Sequence, residues 1–277
     1  METEQHPTVM PFLKWVHNRI KANKNALLVV NGATGSGKSY SCLSLAKQVS
    51  ELTETPFTIE GNVAFKFTDL LKKMKLPENQ EPGTVFVFEE VGAFGGGASA
   101  REWQSKANKF FFSFMQTSRH RNQIIFMNCP NFSFLEAGSR SLVHMQLEAS
   151  GINFGKKLVY LRPYRVQINS RTGKFYFKYL RFEVNGRKRK LNRIAVSHPG
   201  TEMAEVYEKC KTQFTSELNQ QMIAEEVKVD KRKKINIEKL REYVNKGLKT
   251  KEIADLFNCS PEAIRYSMKT KGIVRIS

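Results

Sequence analysis

Five consecutive apolar residues, Ala26-Leu27-Leu28-Val29-Val30, form the clearest hydrophobic run in the chain. A run without polar alternation predicts a strand buried on both faces, as in a parallel sheet. Glycine and small residues follow at once, and Ser39 to Glu51 then reads as a helix. Ahead of the run, Phe12, Leu13, Val16 and Ile20 share one face of an entry helix expected over residues 12–24. Beyond it, the pattern predicts a strand over Val63–Phe67, a short helix over Thr68–Lys75, a loop from Pro77 to Gly83 and a second buried strand at Val85–Phe88. Residues 92–100 are glycine-rich and predict a loop that can move. From Glu102 onward the period becomes helical: Trp103, Ala107, Phe110, Phe111, Phe114 and Met115 form an aromatic stripe that reads as core. Ile124–Met127 is a third buried strand, closed by Asn128-Cys129-Pro130. This order of strands and helices over the first 150 residues predicts an α/β fold, a parallel sheet with helices on both faces.

The second half reads differently. Strand signals return at 142–149, 157–169 and 174–184, and the turn-rich Asn169–Gly173 link predicts a long antiparallel hairpin extension over about 156–193. Gly186 to Arg193 is a basic run. A helix is expected over 201–226, capped by Thr201 after Pro199-Gly200, then a charged linker over Lys228–Lys234 and a small helical unit over 235–277. The expected organisation is therefore a core at about 25–150 within a domain of residues 1–200, a connecting stretch of 201–234, and a terminal domain.

Composition narrows the setting. The 277 residues are 40% hydrophobic and 26% charged, as in an ordinary globular protein. Lys and Arg number 45 against 26 acids, a net charge of +19. That excess favours polyanions, with DNA the expected partner and anionic lipid headgroups the competitor. No apolar run is long enough to span a membrane, and the polar start with Glu2 and Glu4 does not resemble a secretory leader. Cys42, Cys129, Cys210 and Cys259 are scattered without a C-x-x-C pair, which argues against a thiolate zinc site and a disulfide framework. A cytoplasmic location fits that usage.

The chemistry starts at residues 32–39. Gly32, Ala33, Thr34, Gly35, Ser36, Gly37, Lys38 and Ser39 match G-x-x-x-x-G-K-[ST] in full, between a predicted strand and a predicted helix. Glycines let successive backbone N–H groups face an anion, and the helix N-terminus adds its positive end. Lys38 would reach the β- and γ-phosphates, the Ser39 hydroxyl would ligate Mg2+, and Tyr40 completes the nucleotide-binding stretch. Such a loop needs a carboxylate at the end of a neighbouring strand, and Val85–Phe88 runs directly into Glu89 and Glu90. Glu89 is the candidate metal carboxylate and Glu90 the candidate general base. An acid directly after the metal carboxylate marks the ATPases that insert an extra strand between the two motifs. No guanine-reading N-K-x-D-like motif occurs, so the expected nucleotide is ATP with Mg2+.

Gln116-Thr117-Ser118-Arg119-His120-Arg121 then precedes the third strand, and Asn128 ends it. With Gly32–Ser39, Phe86–Glu90, Pro130 and the Leu135–Arg140 segment, this order resembles the FtsK–HerA superfamily of P-loop ATPases, within it the zonula-occludens-toxin-like and viral or plasmid branches. The resemblance covers residues 25–150 or thereabouts. It implies a RecA-like core, a hexameric ring, a γ-phosphate sensor at Asn128, and a finger at Arg119 or Arg121 that reaches a neighbouring subunit, with Arg140 in reserve. The family usually carries Asp at the Glu89 position and often Gln at the Asn128 position. Read from the residues alone, Arg119 and Arg121 serve equally well as DNA-phosphate contacts or as cations covering a helix C-terminus. His120 has no partner spaced for metal ligation.

Residues 235–277 predict three helices. Ile237, Leu240, Tyr243 and Val244 face one way on the first, Thr250 takes a cap position at the start of the second, and Asn258-Cys259-Ser260 turns into a third with Pro261 at its first position. Ala254 provides a small residue at a close crossing, with Ile253, Phe257 and Ile264 as core. This resembles the helix–turn–helix domains of recombinases and sigma-like regulators, and the resemblance implies DNA contacts from Arg265, Tyr266 and Lys269, beside Glu262. A protein-docking unit is the alternative. The functions in view are a DNA-translocating, packaging or remodelling ATPase; an ATP-switched DNA-binding regulator; and a morphogenesis or secretion ATPase acting on protein.

Overall fold

A computed structural model describes residues 6–89, 112–116, 118–233 and 236–273. The chain divides into two compact units, Met1–Phe214 and Thr215–Ser277.

In the first unit, helix α1 (Met10–Lys21) leads to strand β1 (Ala26–Asn31), and helix α2 (Lys38–Thr53) follows the glycine-rich turn. Helix α3 (Ile59–Asn62), strand β2 (Val63–Ala64) and helix α4 (Phe67–Lys73) come next, then strand β3 (Val85–Phe88). The strand expected over 63–67 is thus only two residues long. Phe67 turns into α4, where its ring packs beside Phe88 and Phe114 rather than extending an edge strand. Residues 112–116 are helical, which covers Phe114 and Met115 of the expected stripe; its other members lie outside the described residues, as does the loop at 92–100.

Strand β4 (Ile124–Cys129), helix α5 (Ala137–Leu142) and strand β5 (Met145–Asn153) complete the parallel half. The sheet order is β2-β3-β4-β1-β5, all parallel, so β4 lies between the strand that enters the phosphate-type loop and the strand that ends at Glu89. Every residue of β1, β3 and β4 is buried. Leu28 and Val30 face Phe12, Leu13, Val16, Leu43 and Val49 of α1 and α2, whereas Leu27, Val29, Ile125 and Met127 face Phe67, Leu70 and Met115 on the other side. Two helical layers therefore cover the two sheet faces, as the uninterrupted apolar runs require.

From β5 the sheet turns antiparallel, through strands β6 (Leu158–Ile168), β7 (Phe175–Val184) and β8 (Arg187–Leu191), with strand β9 (Ile194–Ser197) also pairing with β6. The basic run is a strand: Arg187, Lys188, Arg189 and Lys190 are exposed, and Leu191 is buried opposite Leu180. Helix α6 runs from Thr201 to Lys233, so Thr201 is its first helical residue rather than its cap. The stretch at 228–233 is its continuation rather than a linker, since no Gly or Pro interrupts residues that all suit a helix.

In the second unit, helices α7 (Ile237–Asn245), α8 (Thr250–Leu256) and α9 (Pro261–Thr270) pack around Leu240, Val244, Ile253, Ala254 and Ile264, with Phe257 partly buried at the edge. Asn258 adopts φ 49°, a left-handed turn residue between α8 and α9. Ser260 caps α9 by accepting from the Ala263 N–H at 3.2 Å. Thr250 is the first helical residue of α8 rather than its cap; the Lys249 N–H before it donates to the Glu252 carboxylate at 2.6 Å. Among the described residues no helix is long and apolar enough to cross a membrane.

Candidate functional site

The site grows from three adjacent strand ends. The turn after β1 carries Gly32–Gly37 and delivers Lys38 and Ser39 as the first residues of α2. Gly37 has φ 83°, and a Cβ there would come within 2.6 Å of the Val159 side chain on β6, so glycine is required twice over. Ala33, Thr34 and Gly35 lie exposed on the loop, whereas Ser36 tucks a buried hydroxyl inward without a hydrogen-bond partner. Lys38 Nζ donates to the Ala33 carbonyl at 2.8 Å, arching over the loop it belongs to.

Behind the loop, three residues from α2, β3 and β4 converge. Ser39 Oγ donates to Glu89 Oε2 at 3.1 Å. Asn128 Nδ2 donates to the same carboxylate oxygen at 2.7 Å and to Ser39 Oγ at 3.0 Å. The parallel register makes this possible, because β3 and β4 end side by side and β4 pairs Asn128 with Val30 of β1. Glu89 is fully buried, so these donors compensate its desolvation. The Asn128 amide must turn its NH2 toward the carboxylate, which leaves Oδ1 buried without a partner.

Burial, then the Glu89 charge, pushes the Cys42 thiol well above its ordinary range. Burial pushes Cys129 up to about 12. Burial, then Glu89, likewise drives the Tyr207 phenol upward. Tyr207, from α6, is fully buried, and Ser39 lies close enough to bias its hydroxyl, yet no hydrogen bond of ordinary length and angle satisfies it. Nothing local in the sequence marks this residue, which lies 168 positions from Ser39. Tyr40 turns the same way: its hydroxyl donates to Glu208 of α6 at 3.0 Å, and its ring meets those of His198 and Tyr207 edge-on. The side chain of Tyr40 is therefore committed to α6 rather than to the loop.

The remaining residues singled out from sequence lie elsewhere. Glu90 is outside the described residues. Arg119 is exposed on a short 3-10 turn (Ser118–Arg121) ahead of β4, at the strand end opposite to Asn128. Arg121 Nη1 donates to the Met74 carbonyl at the C-terminal end of α4 at 3.3 Å, the helix-covering role that cations take. The Arg140 guanidinium sits over the Phe175 ring at 5.3 Å. None of the three joins Ser39 and Glu89 within this chain. In the second unit, Tyr266 is 71% exposed and Arg265 pairs with Glu262 at 3.6 Å on the outer face of α9, with Lys269 exposed one turn on.

The donor set suits Mg2+ delivered with a nucleotide. It offers hard oxygens, one hydroxyl and one carboxylate 3.1 Å apart, and unspent buried polar atoms on Ser36 and Asn128. Among the described residues no group of three His, Cys, Asp or Glu side chains could hold a metal without phosphate oxygens.

No family model matches the sequence, and no curated protein matches it. Among solved structures, the N-terminal domain of zonular occludens toxin from Neisseria meningitidis is similar at 14% identity, covering 57% of this chain and 95% of that one with a TM-score of 0.33. A likeness of that size leaves the site to be read from its own geometry.

Proposed function

We propose that this chain is a Mg2+-dependent ATPase of the FtsK–HerA type that acts on DNA. The observation that carries the reading is the Ser39–Glu89–Asn128 triad, gathered behind a complete phosphate-loop motif from three adjacent strand ends. The strand between β1 and β3 supports the ATPase branch that inserts one there.

In this reading the loop N–H groups and Lys38 hold the β- and γ-phosphates, and Lys38 gives up the Ala33 carbonyl to do so. Ser39 and Glu89 hold Mg2+, which supplies charge neutralisation on the phosphates when bound. Glu90 orients the attacking water. Asn128 turns from Glu89 toward the γ-phosphate. Arg119, on the far end of β4, serves a neighbouring subunit of a ring and stabilises the charge that develops there. Arg121, engaged with α4, is the weaker candidate for that finger.

DNA as the target rests on the net charge of +19, the four exposed cations of β8, and the Arg265, Tyr266 and Lys269 face of α9 in a helix–turn–helix arrangement. Steady-state ATP hydrolysis with no DNA, single-stranded DNA and duplex DNA tests the whole reading. The expected result is stimulation by DNA and, for Lys38→Ala, a rate at least about a hundredfold below wild type, the scale for losing a charge-stabilising contact. Unchanged turnover with any DNA would sink the DNA role, and an unimpaired Lys38→Ala variant would sink the site.

A further inference from the structure

Beyond β5 the sheet carries one face that packing does not account for. Leu161, Pro163, Leu180 and Leu191 are buried on β6, β7 and β8, so their alternates project from the opposite side. On β7 these are Phe175, Phe177 and Tyr179, aromatics about 6.8 Å apart along one strand, with Arg181 next. Tyr164 of β6 lies opposite Tyr179, the rings 4.8 Å apart, and Phe177 is 45% exposed. Arg181 stands directly opposite Lys190 of β8, and both are exposed. Like charges so placed destabilise a strand pair, and a half-exposed phenylalanine recovers only part of its burial energy. Arg162, beside Tyr164 on the same face, pairs with Glu148 at 3.7 Å, and Lys188 lies opposite Glu183. The positive charge left over therefore gathers at Arg181 and Lys190. The reverse face repeats a like pair, Arg165 and Lys178, with one exposed aromatic, Tyr176, beside it.

A single nucleic-acid strand removes both costs. Its unstacked bases would cover the rings, since every base has a π-face. A phosphate between Arg181 and Lys190 would turn one repulsion into two attractions. A duplex could use the cations but not the rings, because its bases already stack on one another. The inner end of the face adjoins the strand that carries the phosphate loop. There Gln146, opposite Tyr164, donates to Oδ1 of Asn31 at 2.9 Å, and Asn31 precedes Gly32.

We infer that this face binds single-stranded DNA, bases stacking on Phe177 and Tyr179 and a phosphate lying between Arg181 and Lys190. This deepens the DNA part of the proposed function and rests on it.

Fluorescence anisotropy tests this, with labelled oligothymidine and a duplex of the same length, on wild type and a Phe177→Leu, Tyr179→Leu double variant. Leucine keeps the apolar bulk and removes the π-face. The expected result is a Kd for the single strand raised about tenfold in the variant, and an unchanged Kd for the duplex. Equal affinities of the two folded proteins for oligothymidine, or equal weakening of both DNAs, overturn the inference and leave the DNA role in place. Should the variant fail to melt cooperatively, photo-crosslinking of wild type to a bromodeoxyuridine-substituted single strand decides. Adducts within residues 175–181 support the inference, and adducts only elsewhere overturn it. Wild-type protein that binds neither DNA overturns the inference and the DNA role together, while the Lys38→Ala comparison still judges the ATPase site.

Discussion

The two halves of the large sheet are built on different terms. In the parallel half every residue of β1, β3 and β4 is buried between helical layers, and the strand ends are held close enough for two side chains to donate to one carboxylate oxygen of a third. In the antiparallel half, burial thins toward the rim: β7 buries Leu180 alone, and β8 buries only Leu191. The first half spends its side chains on packing and so fixes atoms to hydrogen-bond tolerance. The second leaves side chains free for solvent or a partner. Under the proposed function, chemistry would fall to the former and contact with a large charged ligand to the latter.

Core truncation tests this contrast most strongly. Phe86→Ala in β3 is expected to cost about 3–5 kcal/mol in denaturant unfolding, whereas Val184→Ala at the exposed end of β7 stays within about 0.5 kcal/mol. Comparable losses at both sites would dissolve the distinction.

Acid comes next, because the parallel half also holds a partly buried imidazole. His144 Nδ1 accepts the Leu27 N–H at 3.0 Å between β1 and β5, and burial, then Arg19 and Arg119, lowers its pKa to about 3. The unfolded chain takes up this proton near pH 6.5 and the native protein only near 3. The contribution is therefore complete above about pH 6.5 and is lost as pH falls toward 3, at up to about 1.4 kcal/mol per pH unit. His144→Gln should flatten that part of the pH–stability curve; an unchanged slope would mean another group carries it.

The smallest effect separates the two candidate DNA faces. Replacing Arg187, Lys188, Arg189 and Lys190 with serine should leave melting nearly unchanged and lower the salt slope of DNA binding by about one for each phosphate contact removed. If the slope instead responds only to Arg265→Ala and Lys269→Ala, the face on α9 carries the contact and β8 is a solvated edge.

The same contrast decides what could be read without coordinates. β1, β3 and β4 were legible because strands buried on both faces leave continuous apolar runs, and the loop at 32–39 because its glycines sit at positions only glycine fills. β8 was not, since Arg-Lys-Arg-Lys has no apolar period and its strand character comes from pairing with β7. The stretch at 228–233 looked like a linker because charge was read as a break, although nothing in it interrupts a helix. Asn128 and Glu89 could be nominated from strand ends, but Tyr207 could not. Its burial against Tyr40 depends on how α6 lies against α2, a packing relation with no local signature.

Strand β8 closes one border of the sheet, and a border strand offers unpaired backbone groups to any other extended chain. Four adjacent cations make that offer unattractive to a second copy, since two such rims brought edge to edge would repel. The guard is electrostatic, and at molar salt, where the Debye length shrinks to roughly 3 Å, it weakens. The rim should then behave as an aggregation seam, so concentrated salt, often chosen to keep basic proteins off nucleic acid, would trade one unwanted association for another.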